Sequence, residues 1–319
     1  MNTAINQAKQ YSEAALGRIR DSIDGMKLDN KIAVTCGSYA RREASEGSDI
    51  DFFFIEPESL TRPEESSEED KGSWAEPVSE AISKIVPKSP APDGAFSEIE
   101  FEDSLLHNIG GNKESNEHLT RRILFLLEGE WLFNEDGLKN IRRKILERYI
   151  GETMTEHQLA LFLLNDIIRF YRTMAVDYEF KTVEAENPKP WGIRNIKLVF
   201  SRKLLYASGL FSVALTADRD RDQKIAKLEE LFNMPVIDRM IDICGRDNMN
   251  GVLESYNFFL DHLENPDIRE KLKKLQVGDH RDPLFRKLKN EGHHFTREIL
   301  KLFERTYDQT HPIRRAVVF

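Results

Sequence analysis

The segment Cys36–Phe54, CGSYARREASEGSDIDFFF, constrains this chain more than any other. A short apolar run, Lys31–Cys36, ends in Gly37-Ser38, and a second run, Asp49–Ile55, opens with Asp49-Ile50-Asp51 and continues in aromatic and branched residues. Both runs have the composition of strands. The expected unit is therefore strand, Gly-Ser turn, a short polar helix or loop through Arg41, Arg42 and Glu43, then strand. Residues two apart on a strand share a face, which sets Asp49 and Asp51 side by side with backbone positions roughly 6–7 Å apart. Acids are disfavoured in strands, so such a pair is poorly explained as ordinary edge charge. Two carboxylates can share divalent ions, and Mg²⁺ prefers carboxylate oxygens completed by substrate phosphates. Two-metal phosphoryl transfer uses ions about 3.5–4 Å apart. Gly37 lets the backbone approach a phosphate closely, and Ser38 offers a hydroxyl and an N–H at a helix start.

The run GSYARREASEGSDIDFFF resembles the signature of the polymerase-beta-type nucleotidyltransferases, in which Gly-Ser is followed about ten residues later by Asp-x-Asp in a hydrophobic strand. The resemblance implies that Gly37 and Ser38 bind a nucleoside triphosphate and that Asp49 and Asp51 bind Mg²⁺ (or Mn²⁺). It implies a third carboxylate on a following strand. Glu98, Glu100 and Glu102 alternate along FSEIEFE and share a face; Glu100 is preferred, Glu98 is next, and Asp103 enters if the strand shifts by one. That third acid would also take the acceptor's proton. His118–Asn134 and Asn195–Leu210 are similar to helices of the bacterial nitrogen-signalling uridylyltransferase and its relatives, a resemblance that implies nearest kinship with the nucleotidyltransferases related to that enzyme.

Beyond the motif, residues 4–26 have the spacing of an amphipathic helix, as do Trp74–Val86 and many segments after residue 118. Ala95–Phe101 reads as a third strand. Glu56–Ser73 is acidic, Ser-rich and Pro-containing and carries too little apolar surface to pack. The expected fold class is α+β, a small mixed-sheet nucleotidyltransferase core with helices on one face, followed by an all-α helical domain. The division is placed at 1–117 and 118–319, with no strand after 118. Arg41 and Arg42, close behind Ser38, and Arg194 and Lys197, on one side of an otherwise apolar helix with Ser201, are candidate phosphate contacts.

Composition removes competing classes. With 46 basic and 55 acidic side chains among 319 residues, the formal charge is -9, which repels a polyanion at long range. Long nucleic acid is thereby disfavoured as a partner, and a protein or small-molecule acceptor hydroxyl is expected. Two cysteines, Cys36 and Cys244, build neither a disulfide framework nor a metal cluster. Cys36 is expected to be a small buried residue. Mean hydropathy is -0.52; no apolar run is expected to cross a membrane, no signal peptide is readable, and a cytoplasmic location is expected. The sequence thus predicts a Mg²⁺-dependent enzyme that transfers a nucleoside monophosphate and releases pyrophosphate, of adenylyl- or uridylyltransferase type. A second reading keeps the fold and drops the chemistry: a catalytically silent nucleotide-binding module, or one half of a toxin–antitoxin or defence pair.

Overall fold

Two antiparallel strands, β1 (Ile32–Cys36) and β2 (Asp51–Glu56), form where the apolar runs predict them, joined through the four-residue helix α2 (Gly37–Ala40). The computed structural model describes residues 3–57, 74–88 and 99–318. The chain divides into two compact units, Ala8–Arg148 and Met1–Gln7 with Tyr149–Phe319.

In the first unit, the rest of the N-terminal helix α1 (Thr3–Ile23) precedes β1, and α3 (Ala75–Ile85) follows β2. Next come β3 (Ile99–Phe101), α4 (Glu102–Leu106), α5 (Asn116–Glu128), β4 (Glu130–Phe133) and α6 (Glu135–Tyr149). The sheet order is β3-β2-β1-β4, with β2 and β3 parallel and the other pairs antiparallel. Leu16, Ile19 and Ile23 of α1 and Val78 and Ile82 of α3, all fully buried, pack on Ala33, Phe52 and Phe54. Burying a side chain of that size stabilises by about 1.5–3 kcal/mol. Alternation sends Phe53 to the opposite face, where its ring meets Phe125 of α5 edge-on at 6.5 Å. Helices therefore cover both faces of the sheet, not one.

Two further expectations change. The stretch 118–133, read as one helix, breaks at Gly129 and ends as β4, which pairs with β1 through Thr35 and Glu130. A Cβ at position 129 would lie 2.4 Å from the Phe125 carbonyl oxygen, so a side chain cannot follow the helix there. The division expected at 117/118 consequently falls inside α5, because the sheet needs β4 for its fourth strand. Of the third expected strand, residues 95–98 lie outside the described residues, as do residues 58–73 of the acidic stretch.

The second unit is helical: α7 (Leu161–Glu179), α8 (Trp191–Lys197), α9 (Lys203–Leu215), α10 (Arg221–Phe232), α11 (Val236–Cys244), α12 (Asn250–Glu264), α13 (Pro266–Lys274) and α14 (Pro283–Thr306). Between α8 and α9 the chain stays helical but widens to a π-helical turn, Leu198–Arg202. Contrary to the reading from hydropathy, the continuous stretch Trp191–Leu215 is long and apolar enough to cross a membrane by length and composition. In the fold, 67% of its most apolar window is buried inside the protein, as in a core helix.

Candidate active site

Gly37 sits at the junction of β1 and α2 with φ +76, a left-handed conformation that an L side chain adopts only under strain. A Cβ there would come 2.7 Å from Asp51 Oδ2. Glycine is thus required twice, for its backbone angle and for the carboxylate packed against it. Asp51 opens β2 opposite Cys36, and its carbonyl accepts a hydrogen bond from Thr35 Oγ1 at 2.7 Å. Asp49 lies two residues ahead of the strand, outside the ladder, and is half-buried. The loop that delivers it is tied down by Ser12 Oγ accepting Ala44 N–H at 3.1 Å and by Ser48 Oγ accepting Ser45 N–H at 3.0 Å. Ser38 is half-buried on α2, beside Gly37. Gly37, Ser38, Asp49 and Asp51 thus gather at one end of the β1–β2 hairpin.

Glu128, at the C-terminal end of α5, is the residue that the sequence reading missed. Its Oε1 accepts the Gly37 N–H at 2.9 Å and its Oε2 accepts Arg41 Nη1 at 2.6 Å. Arg41 Nε also faces Glu43 at 3.0 Å. Arg41, 4% exposed, is therefore bound up inside the protein. Arg42 donates to Glu130 Oε2 at 3.0 Å and to the Ala40 carbonyl at 2.9 Å. Arg41 and Arg42, the two arginines next to the Gly-Ser turn that were expected to reach a phosphate, are engaged by carboxylates. Burial first, then the charges of Glu128 and Asp51, push the Cys36 thiol well above its ordinary pKa. A thiol held neutral is an inert packing residue.

The third acid does not join this group. β3 runs parallel to β2 with Glu100 opposite Ile55, four residues or roughly 13 Å along the strand from Asp51. Glu100 is 6% exposed. Arg121 of α5 donates to its Oε2 at 2.6 Å and Ser104 Oγ to its Oε1 at 2.5 Å. Glu100 alternates with Ile99 and Phe101 along β3 as expected, but the strand's offset and the arginine hold it elsewhere. Glu102 opens α4 and pairs with Lys144 at 2.5 Å, and Asp103 pairs with His107 at 3.0 Å. Glu98 lies outside the described residues. Among the described residues, no group of three His, Cys, Asp or Glu side chains is placed to hold a metal. The oxygen donors of Asp49 and Asp51 do fit a hard divalent ion, which is commonly bound by one or two carboxylates together with substrate phosphates. Arg194 and Lys197 lie on α8 in the helical unit, both half-buried, while Ser201 is fully buried in the π-helical turn.

A hairpin with Gly-Ser on one strand end and Asp-x-Asp on the other is the arrangement that the motif implied. Residues 16–150 match the nucleotidyltransferase domain family. The match starts within α1, spans the entire sheet and α6, and runs past residue 117. It supports membership of this segment in the polymerase-beta-type superfamily and, at that level, transfer of a nucleoside monophosphate from a triphosphate. No curated protein matches the chain.

Proposed function

We propose that the protein is a Mg²⁺-dependent nucleotidyltransferase acting on the hydroxyl of a protein or small molecule. The observation that carries this reading is the meeting of Gly37 and Asp51 at the hairpin end, where the absence of a Cβ on the glycine leaves room for the carboxylate. Asp49 and Asp51 would hold the divalent ion. When bound, that ion supplies Lewis-acid stabilisation of charge on the phosphates. Gly37 and Ser38 would face the triphosphate, the glycine by permitting close approach and the serine through its hydroxyl. The acceptor hydroxyl releases its proton to solvent, its oxygen forms a bond to the α-phosphorus, the bond to the bridging oxygen of the β-phosphate breaks, and pyrophosphate leaves. Glu100 is not given the acceptor's proton, since Arg121 and Ser104 occupy its oxygens.

The test is incubation of the purified protein with each α-labelled nucleoside triphosphate, Mg²⁺ or Mn²⁺, and cell lysate. Label is expected on a protein or small molecule, and none with Asp49→Ala or Asp51→Ala. A specific observation favours the second reading, a nucleotide-binding module without catalysis: among the described residues no group of three His, Cys, Asp or Glu side chains is placed to hold a metal. Metal-dependent binding of a triphosphate without transfer of any of the four nucleotides would select that reading.

A further inference from the structure

We propose that the helical unit carries a binding site for phosphoryl oxyanions, formed by Lys203 of α9 and Lys289 of α14 with Thr296, His293 and Arg297 beside them. The site uses none of the residues assigned to nucleotidyl transfer and stands independently of that reading.

A lysine ammonium carries three donors and no acceptor, and a buried charge is normally paired. Lys203 and Lys289 are half-buried and have no carboxylate partner among the described residues. Lys203 Nζ donates to Thr296 Oγ1 at 2.7 Å, and Lys289 Nζ donates to Asn195 Oδ1 at 2.9 Å. Both partners are uncharged, and no carboxylate bears on either lysine among the described residues. Burial lowers the pKa of both groups, and the charge of Lys289 lowers that of Lys203 further. Two like charges held near each other without a counterion cost free energy, and an anion placed between them would recover it.

The lysines are also held in place. Asn195 presents its carbonyl to Lys289 because its amide donates to the Tyr178 hydroxyl at 2.9 Å. Thr296 presents lone pairs to Lys203 because its own hydroxyl donates to the Gly292 carbonyl at 2.8 Å. Gly292 lets α14 press on the π-helical turn: a Cβ there would lie 2.3 Å from Val199 Cγ1. On α14, positions 289, 293, 296 and 297 fall on one side of the helix. Its carboxylates Glu291 and Glu298 fall on another, where they meet Ser255, His294 and Lys301, and Glu304 lies seven residues, roughly 10 Å, beyond Arg297. The cationic side borders a surface groove lined by Asn290, His293, Thr296 and Arg297.

This chemistry suits a phosphoryl group better than a carboxylate. A multiply charged oxyanion can neutralise both lysines and still accept from the Arg297 guanidinium. Lys289 and Arg297 are eight residues apart, roughly 12 Å along the helix, which leaves room for more than one linked phosphoryl group. Such groups come either from inorganic phosphates or from a nucleotide.

The full-length protein is titrated calorimetrically in chelator with orthophosphate, tripolyphosphate and ATP, and the titration is repeated with Asp49→Ala/Asp51→Ala protein. Tripolyphosphate is expected to bind both proteins. Lys203→Met/Lys289→Met should weaken it about tenfold or more, and Arg297→Gln, at an exposed position, by about threefold. ATP binding no tighter than tripolyphosphate marks inorganic phosphate as the source, and tighter binding marks a nucleotide. No tripolyphosphate binding to the wild type, or binding unchanged by the substitutions, overturns the site. If the double lysine variant does not fold, Arg297→Gln decides alone. Because this binding is read without metal, its failure is distinct from failure of nucleotidyl transfer.

Discussion

Two sets of cations, one in each unit, are handled in opposite ways. In the sheet unit, Arg41 meets Glu43 and Glu128, Arg121 meets Glu100 and Glu117, and Arg122 meets Glu114. In the helical unit, Lys203 and Lys289 meet a hydroxyl and an amide carbonyl. A guanidinium already closed by carboxylates cannot be redirected to a ligand without breaking the pair, and breaking a buried pair is costly. It serves as scaffold. A half-buried ammonium with neutral partners has its charge still to be answered. Basic residues near a phosphate-binding motif are therefore not its phosphate contacts by default; their carboxylate partners decide.

The contrast can be broken in several places. The largest effect is expected at Asp51→Ala, where removing a carboxylate proposed to hold the metal should lower the rate of nucleotide transfer on the order of 10²–10³-fold with little change in melting temperature. A rate that survives this substitution would remove the hairpin end from the chemistry. Glu128→Ala removes the acceptor of the Gly37 N–H and one carboxylate partner of Arg41; thermal unfolding should show a loss of about 3–5 kcal/mol. Were the melting curve unmoved, the carboxylate partners of this unit's arginines would add no more to stability than the neutral partners of the other unit's lysines.

Gly37→Ala combines left-handed strain with a collision against Asp51, for about 1–3 kcal/mol of stability, and transfer should fall with it because the carboxylate must move. Glu100→Gln weakens one contact of Arg121, which keeps Glu117, so about 1–2 kcal/mol is expected with kcat nearly unchanged. A kcat as low as that of Asp51→Ala, at an intact fold, would return Glu100 to the metal site. At the small end, Lys203→Met removes a cation that repels Lys289, and stability should stay within about 0.5 kcal/mol of wild type or rise. A clear loss there would mean that the lysine is scaffold after all.

What could be read in advance was local. β1, β2, the Gly-Ser turn and the two aspartates follow from contiguous residues whose composition and spacing carry their own geometry. The helical half followed from three- and four-residue spacing. β4 was hidden because EWLF continues the apolar rhythm of α5; the signal was Gly129, a helix breaker inside an otherwise helical pattern. Glu128, one residue before that break, could be found only once β4 was known to lie beside β1. Glu100 failed for a related reason. Alternation gives the face of a strand but not its offset, and the offset of β3, together with an arginine 21 residues later, sets its place.

The π-helical turn between α8 and α9 has a consequence in angular terms. Eight residues separate Asn195 from Lys203, and in an unbroken α-helix they would point about 80° apart. A π turn absorbs one extra residue, so the pair behaves as if seven apart and differs by only about 20°. Both side chains then project toward α14, one to Lys289 and the other to Thr296. An insertion of this kind works as a phase corrector: it re-times a helix so that two groups out of step by sequence act on one neighbour.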